Sequence, residues 1–225
     1  VSQTALHHMA ERLGISPKRN GLRRPFLFYS IIDSVNPRKN LLALLTAFAT
    51  AFPAPDEDVR LVLKQYRKPQ DLSGIPHVIS IDDPLDNEEI GALHALCDAY
   101  VSAHHAEAWG LPLSEAMSFG NPVIATGYSG NMEFMNEANS FPVPWHPSPV
   151  SEAMCRTLPQ LFTPAMTWAD IDIPALVRTL RRVRRQPWTA ADRARVVDSM
   201  ARFSPNAMAA RLENLLDALR TGVQP

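Results

Sequence analysis

The sequence predicts an α/β fold of the Rossmann-like type, in which a parallel sheet carries helices on both faces and a helical tail follows at the C-terminus. Apolar, β-prone runs alternate with helix-like runs over residues 26–145, and the connections between them are short. Such alternation predicts βαβ units, whose crossover helices cover both sides of a parallel sheet. With 225 residues, of which 46% are hydrophobic, the chain can bury a core of that size.

The predicted strands are apolar runs rich in β-branched and aromatic residues, as expected for buried strands of a parallel sheet. We assign them to "FLFYSII" (26–32), "VRLVLKQ" (59–65), "HVISI" (77–81), "AYVSA" (99–103) and "PVIAT" (122–126), with a weaker sixth strand at "NSFPVPW" (139–145). Prolines cluster at 142–149 and recur at 159, 164 and 174. They predict irregular connections in this part of the chain.

The predicted helices show helical spacing of apolar residues or recognisable end signals. Acids in the first turn of "DNEEIGALHALCD" suit the helix dipole, and Gly120 is a good C-cap for "LPLSEAMSFG". The helices cover residues 3–13, 41–52, 86–98, 111–120, 172–185, 189–202 and 204–220. Residues 1–25 are therefore an N-terminal helix and linker. Residues 26–225 form the domain, with C-terminal helices from about residue 146.

Charge and composition exclude several classes of function. A net charge of -1 gives no reason to expect nucleic acid as a partner. The two cysteines, Cys97 and Cys155, form no CxxC pair, which suits a reducing compartment such as the cytoplasm. No apolar run approaches the roughly 18–20 residues of a membrane span, and the first residues do not form a signal peptide. No G-x-G-x-x-G follows the first strand, which argues against a nicotinamide enzyme.

Two glutamates, Glu107 and Glu115, lie in "HHAEAWGLPLSEAMSFGNPVIATGYSG" (104–130), which begins at the carboxyl end of a predicted strand. Ligands of open parallel sheets bind at that edge. Pro112 suits the first position of the following helix, and the N–H groups of residues 110–114 then form an anion site. Glu115 lies about one turn into this helix. A carboxylate beside an anion site suits hydroxyl groups attached to a phosphate, as in a sugar or ribose.

Structural explanations remain open for each residue taken alone. Glu115 can be a first-turn acid or a reciprocal cap, and Glu107 can be a solvated loop residue. The basic loop "NPRKN" (36–40) can be a surface turn, and Lys64 a strand-end lysine that reaches solvent. "DID" (170–172) does not follow a convincing strand, so Asp172 is interpreted as a helix N-cap rather than a metal ligand. His7 and His8 lack spaced partners, so no metal site is expected.

The combination Glu107, seven residues, Glu115, followed by "EAM" and "GNPVIAT", resembles the donor-binding half of retaining GT-B glycosyltransferases of family 4, the glycosyl transferases group 1. The resemblance spans about residues 26–145, with weaker agreement in the tail "FSPNAMAARLENLL". It implies that this chain is the C-terminal half of a GT-B fold. A Rossmann-like N-terminal half, which binds the acceptor, would then be missing, because each half needs roughly 150–200 residues.

The resemblance also implies residue roles. Glu107 would contact the donor sugar, Glu115 the nucleotide ribose, and Arg38 and Lys39 the leaving diphosphate, because fixed cations stabilise the charge that develops there. The remaining candidates for donor binding are Ser34, Lys64, His105, Gly110, Leu111, Pro112, Gly130 and Asn131.

The implied reaction transfers a sugar from a UDP- or GDP-linked donor to an acceptor glycan or lipid-linked saccharide, with retention and without a cofactor or metal. Bacterial polysaccharide or glycoconjugate synthesis is the implied setting. The expected location is the cytoplasm. The basic run "RTLRRVRR" (178–185) is interpreted as a solvated helix face, and peripheral contact with the inner face of the cell membrane stays open.

Two departures from the family pattern support an alternative. Ala108 stands where relatives usually have glycine, and Asp33 and Ser34 occupy a region where many relatives carry a second cation. An alanine is strained if the glycine had a positive φ. The alternative is therefore a non-catalytic nucleotide-sugar-binding or assembly module of a larger glycosyltransferase. A sugar-nucleotide epimerase is a further rival, against which the two-glutamate motif argues.

Overall fold

The computed structural model describes residues 1–15 and 24–221. Six strands form one parallel sheet in the order β3-β2-β1-β4-β5-β6. These strands are β1 (Phe26–Ile32), β2 (Val59–Gln65), β3 (Val78–Ile81), β4 (Ala99–Ser102), β5 (Val123–Thr126) and β6 (Phe141–Val143). A separate antiparallel pair consists of β7 (Trp145–Pro149) and β8 (Thr167–Ile171). The α/β class and the parallel sheet predicted from the sequence are confirmed.

Helices cover both faces of the sheet, as predicted. They are α1 (Gln3–Arg12), α2 (Leu41–Ala51), α3 (Asn87–Leu96), α4 (Leu111–Ser118), α5 (Glu152–Thr157), α6 (Ile173–Arg185), α7 (Ala190–Met200) and α8 (Pro205–Thr221). Short 3-10 turns cover Pro37–Lys39, Gly130–Glu133 and Ala201–Phe203. The predicted helical C-terminal tail is present in α6, α7 and α8.

The sheet has a hydrophobic core on each face, because successive side chains of the central strand β1 point to opposite faces. Leu27 and Tyr29 of β1 face a core shared with α1, α3, α4 and α7, whereas Phe28 faces a core shared with α2 and α6. All three are fully buried. Because a parallel strand is covered on both faces, nearly every position is apolar, which explains why these runs were recognisable in the sequence.

Helix α1 belongs to the same packed body as the sheet. Met9 and Ala10 are buried against α3 in the first core. Most of the predicted linker "PKRNGLRRP" (17–25) lies outside the described residues. Arg24, at its end, donates to both carboxylate oxygens of Asp98 at 2.8 and 2.6 Å, which ties this end of the chain to the start of β4.

The sequence predicts irregular connections at the prolines of 142–149 and around residues 159, 164 and 174, and in this part of the chain the prediction was wrong. The sixth strand is shorter than expected, and a hairpin of β7 and β8 with α5 between its strands follows it. The prolines fit because β6 is an edge strand and β7 pairs only with β8, so few ladder N–H groups are needed. A strand, β8, does lead into "DID", whose first two residues are the last two of that strand. Asp172 caps α6 as expected, accepting from the Ala175 N–H at 2.8 Å.

The basic run on α6 makes contacts within the domain. Arg181 donates to the backbone carbonyls of Ala51 and Thr50, both at 3.0 Å, and the Arg182 guanidinium lies 4.8 Å from the ring centre of Phe141. These arginines therefore help to fasten α6 to the sheet and to α2. Within the described part of the chain, no helix has the length and apolar character needed to cross a membrane.

Candidate functional site

The candidate site lies where the connections of the sheet diverge. Strands β1 and β4 are neighbours, but β1 continues to β2 on one side and β4 to β5 on the other. The loop 33–40 after β1 and the loop 103–110 after β4 therefore leave the sheet in adjacent positions at its carboxyl edge. In open α/β sheets, ligands bind at such a switch point.

A buried carboxylate with two cations occupies this point. The Arg38 guanidinium donates to Glu107 Oε2 at 3.0 Å, and the Lys39 ammonium contacts Glu107 Oε1. The Glu107 side chain is 6% exposed. Burial alone would raise the pKa of Glu107, but the Lys39 and Arg38 cations outweigh it and hold the pKa below its ordinary value. Glu107 is therefore a carboxylate at neutral pH, and the three groups together carry one net positive charge.

The backbone docks the two loops on each other. The Asn36 side chain accepts from the Arg38 N–H at 3.1 Å and shapes the 3-10 turn. The His105 N–H donates to the Arg38 carbonyl at 2.8 Å, and the Arg38 guanidinium also contacts the Ala106 carbonyl. These contacts hold the cations and Glu107 in a fixed relation to one another.

The turn after β5 forms a third wall. Ser129 Oγ donates to the Glu107 carbonyl at 2.6 Å, and the Gly130 N–H donates to the same carbonyl at 2.9 Å. A Cβ atom on Gly130 would lie 1.9 Å from the Ala108 carbonyl oxygen, so only glycine fits. Asn131 is fully buried, and its side chain binds the Thr126 carbonyl and His104 Nε2 at 3.0 and 3.1 Å. The Asn131 side chain therefore holds the turn from beneath.

The start of α4 is close to the sequence prediction. Gly110 is the N-cap with φ 87°, a conformation that favours glycine. Helix α4 begins at Leu111, so Pro112 is its second residue rather than its first. The N–H groups of Leu113 and Ser114 both bind the Gly110 carbonyl. Pro112 has no N–H, so within the predicted anion site at residues 110–114 the groups left to bind an anion are the N–H groups of Gly110 and Leu111.

Ala108 does not distort the loop. Its φ is negative, because the positive-φ residues other than glycine in the described chain are Asn40, Arg67, His77 and Ser129. The replacement of glycine by alanine therefore carries no strain at this position.

Glu115 is separate from the ion-paired cluster around Glu107. It is half-exposed, and Glu115 Oε2 lies 3.7 Å from His94 Nε2. It borders a cavity of about 530 Å³ between α4, α7 and the start of α8. The structure thus places the two glutamates in different surroundings, Glu107 in the buried ion-paired cluster and Glu115 beside His94 and this cavity.

The other candidates have different environments. Ser34 Oγ is buried without a partner among the described residues. Lys64 is 4% exposed, its ammonium contacts the Gln65 carbonyl, and burial lowers its pKa. It does not reach into bulk solvent. His105 stacks on Trp168, with ring centres 4.0 Å apart, and donates from Nδ1 to the Ala169 carbonyl. Burial lowers the pKa of His105 as well.

Several neighbours of the site were not predicted. Arg67 lies 3.3 Å from the buried Asp33 carboxylate, so a cation does stand beside the region where the sequence lacked one. Trp168 reaches His105 from the unpredicted hairpin. Trp168 was not predicted because the proline-rich sequence around it does not indicate a hairpin. The Asp33–Arg67 contact was not predicted because it depends on β1 and β2 being neighbours in the sheet.

Among the described residues, no group of three or more His, Cys, Asp or Glu could hold a metal ion.

Solved structures share this fold. HepE from Anabaena, in complex with UDP and glucose, matches with a TM-score of 0.67 and 18% identity over 97% of this chain and 53% of its own. Sucrose-phosphate synthase from Thermosynechococcus elongatus matches with a TM-score of 0.63 and 21% identity, over 96% of this chain and 49% of its own. A UDP-forming α,α-trehalose-phosphate synthase from Burkholderia xenovorans matches with a TM-score of 0.61 and 16% identity, over 96% of this chain and 49% of its own.

The chain spans about half the length of these structures. No curated protein matches it in sequence. The family model of the glycosyl transferases group 1 matches residues 16–143, which is more than half of the chain and includes every strand and loop that forms the site. The chain belongs to the glycosyl transferases group 1 family.

Proposed function

We propose that this chain is the donor-binding half of a retaining GT-B glycosyltransferase and takes a nucleotide-diphosphate sugar, UDP- or GDP-linked. The observation that carries the proposal is the buried Glu107 carboxylate held by Arg38 and Lys39 at the switch point of the sheet. A simple structural ion pair has no need to lie beside the free N–H groups at the start of α4. That placement supports a site for a diphosphate with a sugar next to it.

The charges of the site suit the leaving group. Arg38 has five N–H donors and Lys39 three, so both can bind phosphate oxygens while keeping contact with Glu107. An ionised carboxylate has about four acceptor positions, and those left free by the cations can accept donor-sugar hydroxyls. Gly110 and Leu111 add two backbone donors to the diphosphate. In this proposal Glu115 accepts from the ribose.

The proposed reaction breaks the bond between the anomeric carbon and the diphosphate oxygen and forms a bond from that carbon to the acceptor oxygen on the same face. The acceptor hydroxyl proton passes to the departing diphosphate oxygen. Arg38 and Lys39 stabilise the negative charge that appears on the diphosphate. No cofactor takes part.

The acceptor, a glycan or lipid-linked saccharide, binds to a second, N-terminal Rossmann-like half in this proposal. The chain's coverage of only about half of each similar structure supports this division. We place the reaction in bacterial polysaccharide or glycoconjugate synthesis, in the cytoplasm.

Turnover by the full-length parent protein tests this function. The parent would be incubated with UDP- and GDP-linked hexoses and candidate acceptors, and the anomeric configuration of the product read by NMR. Transfer with retention, abolished in Glu107→Ala, is expected. Transfer with inversion would contradict the retaining mechanism, and the absence of both binding and transfer would contradict the function.

A non-catalytic binding or assembly module is the second candidate, and the buried Asp33 carboxylate favours it. Asp33 lies in the region where the family resemblance implies a second cation, although Arg67, 3.3 Å away, offsets its charge. Unstrained Ala108 argues against a damaged site. Binding of a nucleotide-sugar by a folded parent that never turns it over would support the module.

A further inference from the structure

A chain of buried polar groups runs from the first core of the domain to Glu115. It consists of Tyr29 on β1, His94 on α3 and Asn121 before β5, which are each no more than 1% exposed. Tyr29 Oη lies 2.7 Å from His94 Nδ1, and Asn121 Nδ2 lies 3.0 Å from Tyr29 Oη. Each hydrogen bond joins one donor and one acceptor, so the groups that can play only one role determine the direction of the other bonds.

The bonds fix the position of one proton. Arg193 donates to Asn121 Oδ1 at 2.9 Å, so the other end of that amide is its donor. Asn121 Nδ2 therefore donates to Tyr29 Oη and to the His94 carbonyl. Because Tyr29 Oη accepts from Asn121, its own proton is free to bind His94 Nδ1. His94 Nδ1 is then the acceptor, and the neutral imidazole carries its proton on Nε2.

This Nε2–H has no hydrogen-bond partner among the described residues, although it is fully buried. The Phe119 ring stacks on the imidazole, with ring centres 5.2 Å apart, and keeps water from that side. The nearest acceptor is Glu115 Oε2, 3.7 Å from Nε2, which is too far for a hydrogen bond. Since Glu115 is half-exposed, a small rotation of its side chain closes this distance.

We propose that His94 is a positioning residue for Glu115: after this rotation its Nε2–H binds Glu115 Oε2, already in the ligand-free protein, and leaves Oε1 to accept from the ribose hydroxyls. The proposal rests on the proposed function, in which Glu115 binds the ribose of the nucleotide. An exposed glutamate has several rotamers, and one immobilised before binding loses less freedom when the ligand arrives. We expect His94 to contribute about tenfold to the affinity for a ribonucleotide.

The test separates the ribose from the rest of the nucleotide. Calorimetric titration would compare UDP and GDP with their 2′,3′-dideoxy forms on the wild-type chain and on Glu115→Ala, His94→Leu, His94→Gln and Tyr29→Phe. We expect His94→Leu to lose about tenfold for the ribonucleotide and nothing for the dideoxynucleotide. His94→Gln, whose amide nitrogen lies near the position of Nε2, should keep most of the affinity.

Tyr29→Phe removes the donor that fixes the tautomer and should weaken ribonucleotide binding severalfold, with little effect on the dideoxy form. This variant keeps the test valid if His94→Leu fails to fold. Equal losses for both forms of the nucleotide, or no loss in any variant, would overturn the proposal.

Nitrogen NMR of the ligand-free chain provides a readout that does not need the nucleotide. We expect a protonated Nε2 and an unprotonated Nδ1 in His94, and a shifted Nε2 resonance in Glu115→Gln. A proton on Nδ1, or an Nε2 resonance unaffected by Glu115→Gln, would overturn the inference. If no nucleotide binds the wild-type chain, the donor site fails for this chain, and these resonances still decide whether His94 contacts Glu115.

Discussion

Arg38 donates to Glu107 at 3.0 Å across the switch point of the sheet, joining the loop after β1 to the loop after β4. These residues are 69 positions apart in the sequence. The pair is formed by residues of the chain itself, and the charge of the site is set by Arg38, Lys39 and Glu107 together. Four predictions follow from this arrangement and from its supporting residues.

Lys39→Ala should reduce donor turnover by the full-length parent about 100-fold or more, because the developing diphosphate charge loses a fixed cation. The thermal midpoint should change much less, because Arg38 still neutralises the buried Glu107. Steady-state kinetics and thermal denaturation measure the two effects, with the exposed Lys68→Ala as the matched control. A large drop in the thermal midpoint with intact turnover per folded molecule would refute the catalytic role.

Glu107→Gln should make the domain less stable at pH 7 by about 3 kcal/mol, because two cations lose their buried counter-ion. The lowered pKa of Glu107 adds stability that is present above its unfolded value and is lost as pH falls through the folded value. Urea unfolding at pH 7 and at about pH 3.5 should therefore show a smaller acid loss in the variant. An equal loss in both proteins would exclude Glu107 as a source of acid sensitivity.

His104 should make the free energy of unfolding depend on pH in a mildly acidic range. Burial lowers the pKa of His104 to about 4, so the folded state resists a proton that the unfolded state accepts near pH 6.5. The contribution of His104 to the free energy of unfolding is therefore fully present above about pH 6.5, and up to about 3 kcal/mol of it is lost as the pH decreases to 4. Urea unfolding from pH 7 to 4 should show this slope reduced in His104→Gln, and unchanged in the control His8→Gln at an exposed histidine. His104→Gln with a wild-type slope would contradict the assignment.

Gly130→Ala should cost about 2 kcal/mol or more in the free energy of unfolding, because its Cβ meets the Ala108 carbonyl and one of the two loops must shift. Gly74→Ala is the control, since a Cβ there meets no atom within 4 Å. Chemical denaturation measures both variants, and nucleotide titration reports on the site. A Gly130→Ala protein as stable as Gly74→Ala would contradict the close approach of Gly130 to the Ala108 carbonyl.

The sheet was predictable because strands buried on both faces leave continuous apolar runs. β1, β2 and β5 were recognised within one residue on that basis. The hairpin of β7 and β8 was not, because β7 is largely exposed and "WHPSP" has neither apolar alternation nor the propensity of a strand. Its partner β8 lies 18 residues further on, beyond a short helix.

The positions of the candidate site residues relative to one another were predictable where these residues are close in sequence. Glu107, Gly110 and Leu111 lie in one loop and the helix start that follows it, and the structure places Arg38 and Lys39 against Glu107. The contact between His94 and Glu115 depends on the packing of α3 beside α4, and no local pattern indicates it. The burial of Asn131 likewise depends on β4 and β5 being neighbours, which only the topology establishes.

Calorimetric titration of the chain with UDP and GDP, beside Glu115→Ala and Lys39→Ala, is the most direct test of the donor site. The account predicts that one nucleotide diphosphate binds the wild-type chain, that its nucleoside binds far more weakly, and that both variants lose affinity while remaining folded by circular dichroism. Binding that is equal for the nucleoside and the diphosphate, or unaffected by loss of the Lys39 cation, would contradict a diphosphate site at the switch point.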